Sequence, residues 1–279
     1  MSKKRKIISL AVWLGLVFAS LIGVLLTNGL ESHESIREIM RDAVLHESNK
    51  ISLFGIMEVN PAVISAFTVT GILLLFALIV RIFVIPKFKL IPGKFQLLLE
   101  QLVQFFDGLA KSNSPHRNGF LGAYIFAAGV YIFVGTIFEL FGLQAMTTHG
   151  FPMALPAPLS DINAAIALGC MSYIIILSGG IAGNGLKGVG QTLKDFSLPI
   201  SMSFRLFGAL LSGLLVTELV YYYTSLSFVL PVVVAVLFTL LHALIQTYVL
   251  TMLTSLFYGE VSEVHEPKPK KKKAAAKAN

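Results

Sequence analysis

Charge is what this chain has least of. Only 13% of its 279 residues are Asp, Glu, Lys or Arg, about half the share found in an ordinary soluble domain. It also has a single cysteine, Cys170, which excludes an internal disulfide and any multi-cysteine metal site. Acidic residues are outnumbered, 15 against 22 basic ones, for a formal net charge of +7. In a soluble protein that excess would suggest a nucleic-acid partner. Here much of it lies in two tracts, KKRK at Lys3 to Lys6 and KPKKKK at Lys268 to Lys273 with Lys277 beyond. Such tracts anchor the cytoplasmic side of a membrane protein and meet anionic lipid, so membrane lipid is expected as a partner and nucleic acid is not. What the chain has in abundance is apolar residues, 55% of the total. That composition belongs in a bilayer.

A helix needs about 20 apolar residues to cross roughly 30 Å of hydrocarbon. Six segments qualify: Ile7 to Thr27, Pro61 to Ile85, Phe120 to Ala145, Ile162 to Ala182, Leu198 to Tyr223 and Leu226 to Tyr258. The last would extend about 50 Å as a straight helix, so it is expected to tilt. Pro231 falls near its start, where proline costs least. The expected class is an all-α membrane protein of five to six transmembrane helices, two of them long and tilted, with an interfacial amphipathic helix. Its expected divisions are an N-terminal anchor or signal segment (1–27), an external loop (28–60), the membrane domain (61–263) and a basic cytoplasmic tail (264–279).

Basic residues in the short loops set the orientation. With KKRK inside, the acidic loop Asn28 to Asn60 lies outside, and the connection bearing Lys87, Lys89, Lys94, Lys111 and Arg117 lies inside. The loop Met146 to Asp161 has no lysine or arginine, and the loop with Lys187 and Lys194 returns to the inside. Every loop agrees with one alternating path. The first segment fits a retained anchor or a cleaved signal equally well, with Val17-Phe18-Ala19 as a cleavage-like triplet. On the inner side, PGKFQLLLEQLVQFFDGLAK (Pro92 to Lys111) has Phe95, Leu98, Leu102, Phe105 and Phe106 at helical spacing among polar residues. It reads either as a helix lying along the interface or as a surface helix packed on its own protein.

The few charges inside the spans carry the chemistry. In SFRLFGALLSGLLVTELV, Arg205 stands about 10 Å into a helix rising from the inner side. An intramembrane arginine costs about 2.5 to 3.5 kcal/mol on insertion scales and stays protonated, so it persists where something uses it. The alternative is a structural ion pair. Gly208, Ala209 and Ser212 share its face and let another helix approach closely. Glu218 lies 13 residues on, about 140° round the helix and roughly 20 Å further out, so the two do not pair. Its expected company is Glu139, His149, Asp161 and Asn163, all placed near the outer face, a set suited to a hydrated cation path. Ser160 or Asp161 alternatively caps a helix, and His149 alternatively is an ordinary loop residue. In the last span, Thr239, His242 and Gln246 fall on one face, where Gln246 can both donate and accept next to a guanidinium or carboxylate. Interhelical hydrogen bonding is the plainer reading of that pair.

From about Phe54 to Glu263 the sequence resembles subunit a of F-type ATP synthases. The resemblance is carried by SFRLFGALLSG around Arg205, LIQTYVLTMLTSLFY around Gln246, PLSDINAAIAL at Pro158 to Leu168, and PGKFQLLLEQLVQFF on the inner side. It departs from the family at Ala209, where asparagine is usual, and at Leu214, where an acidic group or histidine is common. The resemblance implies a non-catalytic, multi-pass subunit of the bacterial cytoplasmic membrane without cofactor or metal. Its partners would be a ring of c subunits, a b-subunit peripheral stalk and the F1 catalytic sector. Arg205, with Gln246 and His242, would act on the ring carboxylate. Glu218, Glu139, His149, Asp161 and Asn163 would line an outer half-channel, and Ser201, Ser203, Glu260 and Glu263 an inner one. Glu218, one turn beyond Leu214, would stand in for the missing polar group. The rival expectation is a stand-alone secondary transporter or channel with Arg205 as an anion site, although no second half repeats the first.

Overall fold

A computed structural model describes residues 3–26, 50–53, 57–116, 118–148, 150, 152–222 and 230–263. In chain order the elements are α1 (Lys3–Leu26), β1 (Ile51–Leu53), β2 (Met57–Val59), α2 (Pro61–Ile79), α3 (Lys94–Asn113), α4 (Gly119–Phe138), β3 (Gln144–Met146), β4 (Pro152–Ala154), α5 (Ile162–Asn184), α6 (Leu186–Lys194), α7 (Ser197–Tyr222) and α8 (Leu230–Ser262). Among the described residues, five helical stretches are long and apolar enough to cross a membrane: Pro61–Lys87, Gly119–Phe141, Ile162–Asn184, Ser197–Thr217 and Val232–Ser262. They coincide with the second to sixth expected spans and make the chain an all-α membrane protein. Over the first segment, α1 is helical, as either an anchor or a signal would be.

Local chemistry sets the helix ends. Asn60 caps α2 by accepting from the Ala62 amide at 3.0 Å, with Pro61 in the first position, where its missing N–H is no loss. At the other end Pro86 would drive its ring into the carbonyl of Ile82. The helix answers with a π turn over Val80–Val84 and a 3-10 turn over Ile85–Lys87, the local widening that lets a helix absorb a misfit. Pro231 is the second residue of α8.

The 33-residue α8 is the element around which the others gather. It packs on α4, α5 and α7 and, toward its C-terminal end, on α3 and α6. Leu121, Ile125 and Ile132 of α4, Ile176 of α5, Met202 and Leu206 of α7 and Leu250 of α8 form one buried core. Lipid supplies no hydrophobic force between helices, so closeness of backbone and interhelical polar contacts must hold the bundle. Gly179 lies under the Tyr258 ring, where an added Cβ would come within 2.6 Å, and a Cβ on Gly259 would collide with the carbonyl oxygen of Asn113. Polar clasps close the same end. Asn113 Nδ2 donates to Ser255 Oγ at 3.1 Å, His116 Nε2 and Ser262 Oγ lie 2.9 Å apart, and Asn184 Nδ2 donates to the carbonyls of Val261 and Glu263 at 3.0 and 2.8 Å.

Three features differ from the sequence expectation. The third span stops as an α-helix at Phe138, passes through a 3-10 turn at Glu139–Phe141 and a left-handed Gly142, and then enters a hairpin that pairs β3 with β4. A second hairpin, β1–β2, precedes α2. Three-residue strands carry no periodic signal to read. The loop holding Lys187 and Lys194 contains α6, which turns back along α5. Gly185 turns the chain at φ 60°, a value that favours glycine; Gly188 then lies against Gly180, and the Tyr173 hydroxyl donates to the Thr192 carbonyl at 3.0 Å.

Of the two readings of the amphipathic stretch, packing on its own protein describes one face of α3. Phe106 and Ala110 are buried against the bundle, with Phe106 edge-on to Phe126 at 5.7 Å, whereas Phe95, Leu98, Leu102 and Phe105 stay exposed.

Candidate ion-translocation site

Arg205 sits a little past the second turn of α7 with its side chain exposed. Among the described residues it has no hydrogen bond and no acid within ion-pair distance; Lys111 and Asp107 pair with each other on α3. Its neighbours on the same face are bare. Gly208 would have no atom within 4 Å of an added Cβ, and Ser212 is exposed. The result is a charged, small-residue strip on an apolar helix that the chain leaves uncovered.

Gln246 is the group that α8 brings to this strip. It is 6% exposed and lines one small hollow with Arg205, Met202, Leu206, Val249, Leu250 and Leu253. Because α7 and α8 run antiparallel, the next contact outward pairs Gly213 with His242, whose Nδ1 would lie 3.5 Å from a Cβ on Gly213. The His242 ring also tilts against Phe238 at 5.8 Å. His242 is therefore level with Gly213 and Leu214, further along α7 than Arg205, and Thr239 is half-buried one turn beyond it.

Glu139 and Asp161 are brought to one end of the bundle by the short turn Pro158–Ser160. That turn packs on α4, where Gly135 faces Pro158, and on α7, while the turn beginning at Glu139 touches α8. Glu139 is half-buried. Asp161 caps α5: its carboxylate accepts from the Asn163 amide at 2.8 Å and from Asn163 Nδ2 at 3.1 Å. The Ser160 hydroxyl donates to the Ala157 carbonyl at 2.7 Å. The capping expectation thus describes Asp161 and not Ser160, and Asn163 remains exposed beside them. His149 and the Glu218 side chain lie outside the described residues; the Glu218 backbone is part of α7.

The four inner residues do not form one group. Ser201 is exposed, but Ser203 is buried against Gly169 of α5 and donates to the Pro199 carbonyl at 2.6 Å. Glu260 and Glu263 are exposed at the far end of α8, where Asn184 holds the Glu263 carbonyl. Gly169 and Asn184 are 15 residues apart on α5, roughly 22 Å of helix. Sequence reasoning passed over the polar residues that fasten α8, namely Asn113, His116, Asn184, Ser255 and Ser262, and the pair formed by the half-buried Tyr124 and the buried Ser172, whose hydroxyls lie 2.8 Å apart. Gly179 and Gly183, four apart in α5, were the readable sign of that packing face.

A family model described as ATP synthase A chain matches residues 63–259, a stretch that holds Arg205, Gln246, His242, Glu218, Glu139 and Asp161. Among similar proteins is the ATP synthase subunit a of Histophilus somni (strain 129Pt), 27% identical over 199 residues, covering 60% of this chain and 73% of that protein. With that match and five helices able to cross a membrane, this multi-pass membrane chain belongs to the ATP synthase A chain family.

Proposed function

We propose that this chain is the non-catalytic stator subunit of the ATP synthase membrane sector, in which ion flow past Arg205 drives a ring of c subunits. The observation that carries the reading is Arg205 itself: exposed, among small residues, and without an acidic partner among the described residues. A permanent charge left open on a span asks for an anion from outside the chain. A ring carboxylate is such an anion. It must be neutral to face lipid, and beside a guanidinium its ionised form is favoured. An arriving carboxyl group therefore releases its proton or sodium ion near Arg205 and reloads after leaving. Gln246, buried beside Arg205, holds the guanidinium or the passing carboxylate without adding charge. Each ion crossing 100 mV releases about 2.3 kcal/mol, and the fixed positive charge bars a direct leak between the two sides.

In this reading Glu139, Asn163, Asp161, Glu218 and His149 lie along an outer water path that ends at His242 and Gln246. Ser201, Glu260 and Glu263 border the inner path. Ser203, hydrogen-bonded within α7 against α5, serves packing. The peripheral stalk, the F1 sector and a bacterial cytoplasmic membrane complete the setting. Mild-detergent purification tests it: the chain should leave the membrane together with a c ring and a peripheral ATPase, whereas a lone protein active in liposomes would establish the transporter reading. Glu218→Gln should slow ion translocation and shift its pH dependence, read as the pH profile of ATP-driven ion pumping in vesicles. An unchanged rate and profile would return Glu218 to a structural role.

A further inference from the structure

The short helix α6 does not stay at the inner surface. From Gly185, at the inner end of α5, it turns back along that helix: Gly188 lies against Gly180, and the Tyr173 hydroxyl donates to the Thr192 carbonyl at 3.0 Å. Phe196, just beyond α6, meets the Tyr173 ring edge-on at 6.5 Å, and the Pro199 carbonyl oxygen lies 3.0 Å from where a Cβ on Gly169 would stand. Tyr173 is the middle residue of α5, roughly 16 Å of helix from its inner end at Asn184. That is about half of the roughly 30 Å hydrocarbon thickness. The turn from α6 into α7, at Asp195 and Phe196, therefore sits near mid-depth.

Irregular backbone at that depth is tolerated only where it is buried in protein or lines a water-filled cavity. Here Lys194 and Ser197 are exposed and Asp195 is half-buried, and a lysine stem is too short to carry its ammonium from mid-depth to the surface. The turn needs water. The residues supply a polar line for it. On α6, Lys187, Gln191 and Lys194 follow one another at four- and three-residue steps on one face, with Gly190 open between them. On α7, the exposed Ser197 and Ser201 lead at four-residue steps to Arg205. One stripe ends where the other begins. We propose that α6 is a re-entrant wall of the inner ion path: water follows it from the inner face to mid-depth, and Asp195 receives the cation released beside Arg205 on its way inward. Lys187 and Lys194 weaken the hold of that carboxylate on a cation, so the ion moves on. The direction of travel rests on the stator reading; the hydration of the turn does not.

The test uses inside-out vesicles holding the complete complex in a Cys170→Ser background, with a membrane-impermeant, charged methanethiosulfonate added to the exposed inner face. The reagent attacks the thiolate, which forms in water and not among lipid tails, so Lys194→Cys and Ser197→Cys should be labelled about tenfold faster than Ile174→Cys. Ile174 is an exposed apolar position beside Tyr173, at the same depth. Right-side-out vesicles should label none of the three. Modification of Ser197→Cys should stop ATP-driven pumping in step with labelling. Asp195→Asn should lower pumping severalfold at unchanged subunit content, and Asp195→Glu should retain it. Labelling of Lys194→Cys and Ser197→Cys no faster than Ile174→Cys, labelling from the outer face, or pumping indifferent to both Ser197 modification and Asp195→Asn would overturn the proposal. Purification of this chain without a c ring would instead sink the stator reading while the labelling pattern stood, so the two failures are distinct.

Discussion

Replacing Arg205 by alanine should abolish ion-driven ATP synthesis while leaving the subunit in the membrane at normal abundance. The second half of that expectation comes from packing. Arg205 is exposed and forms no hydrogen bond or ion pair among the described residues, and exposed substitutions away from such features usually change stability by no more than about 0.5 kcal/mol. Removing it also relieves the cost of holding a charge in a span, about 2.5 to 3.5 kcal/mol on insertion scales. The first half comes from charge. Without the guanidinium nothing on this face favours the ionised carboxylate over the neutral one, so the ring has no reason to unload here. Vesicles energised with an imposed ion gradient should make ATP only at background, with subunit content unchanged by immunoblot. Normal synthesis would sink the mechanism, and loss of the subunit would point to the structural ion pair that the sequence left open.

Gly259→Val should have the opposite signature, with the protein lost rather than its coupling. A Cβ at Gly259 would overlap the Asn113 carbonyl oxygen, and backbone cannot swing aside as a side-chain tip can. The hydrogen bonds from Asn113 to Ser255 and between His116 and Ser262 depend on the same close approach of α8 to the end of α3. Overpacking typically costs about 1–3 kcal/mol, a large part of a marginal stability of about 5–15 kcal/mol. Abundance in the membrane should fall severalfold. Gly208→Val is the control. No atom lies within 4 Å of a Cβ there, so the variant should accumulate normally and yet translocate poorly, because the added bulk stands where the ring must pass. Equal abundance of the two variants would remove the packing argument for Gly259.

These two glycines show how far the sequence could be read. Length and hydropathy located the five long spans because lipid imposes one rule on all of them, about 20 apolar residues with every backbone polar group satisfied within the helix. The facing of Arg205 and Gln246 was legible because an intramembrane charge and an amide on neighbouring spans have few other uses. Which glycine of α7 or α8 touches backbone and which stands open was not legible, since that depends on contacts between residues far apart in the chain. The same limit hid α6. Its nine residues read as a basic loop, and only the tertiary contact of Gly188 with Gly180 shows that they fold back on α5. Residue type leaves Asp161 open between a channel lining and a helix cap, and only the family resemblance makes Ser203 a channel residue. Their hydrogen bonds to the Asn163 amide and the Pro199 carbonyl show what else such residues do in a helix, capping its start or bonding one turn back.

The central claim is that the strip Arg205, Gly208, Ser212 faces a moving ring. It is tested most directly by a cysteine at the exposed Ser212, in a Cys170→Ser background, paired with a cysteine beside the ion-binding carboxyl group of the c subunit. Oxidation of the assembled complex should give a disulfide-linked product of this chain with the c subunit and stop ATP-driven pumping, while reduction should restore it. A cysteine at Leu210, buried on the opposite side of α7, should give no such product. Cross-linking from Leu210 and none from Ser212 would place the ring on the wrong face of α7 and contradict the account.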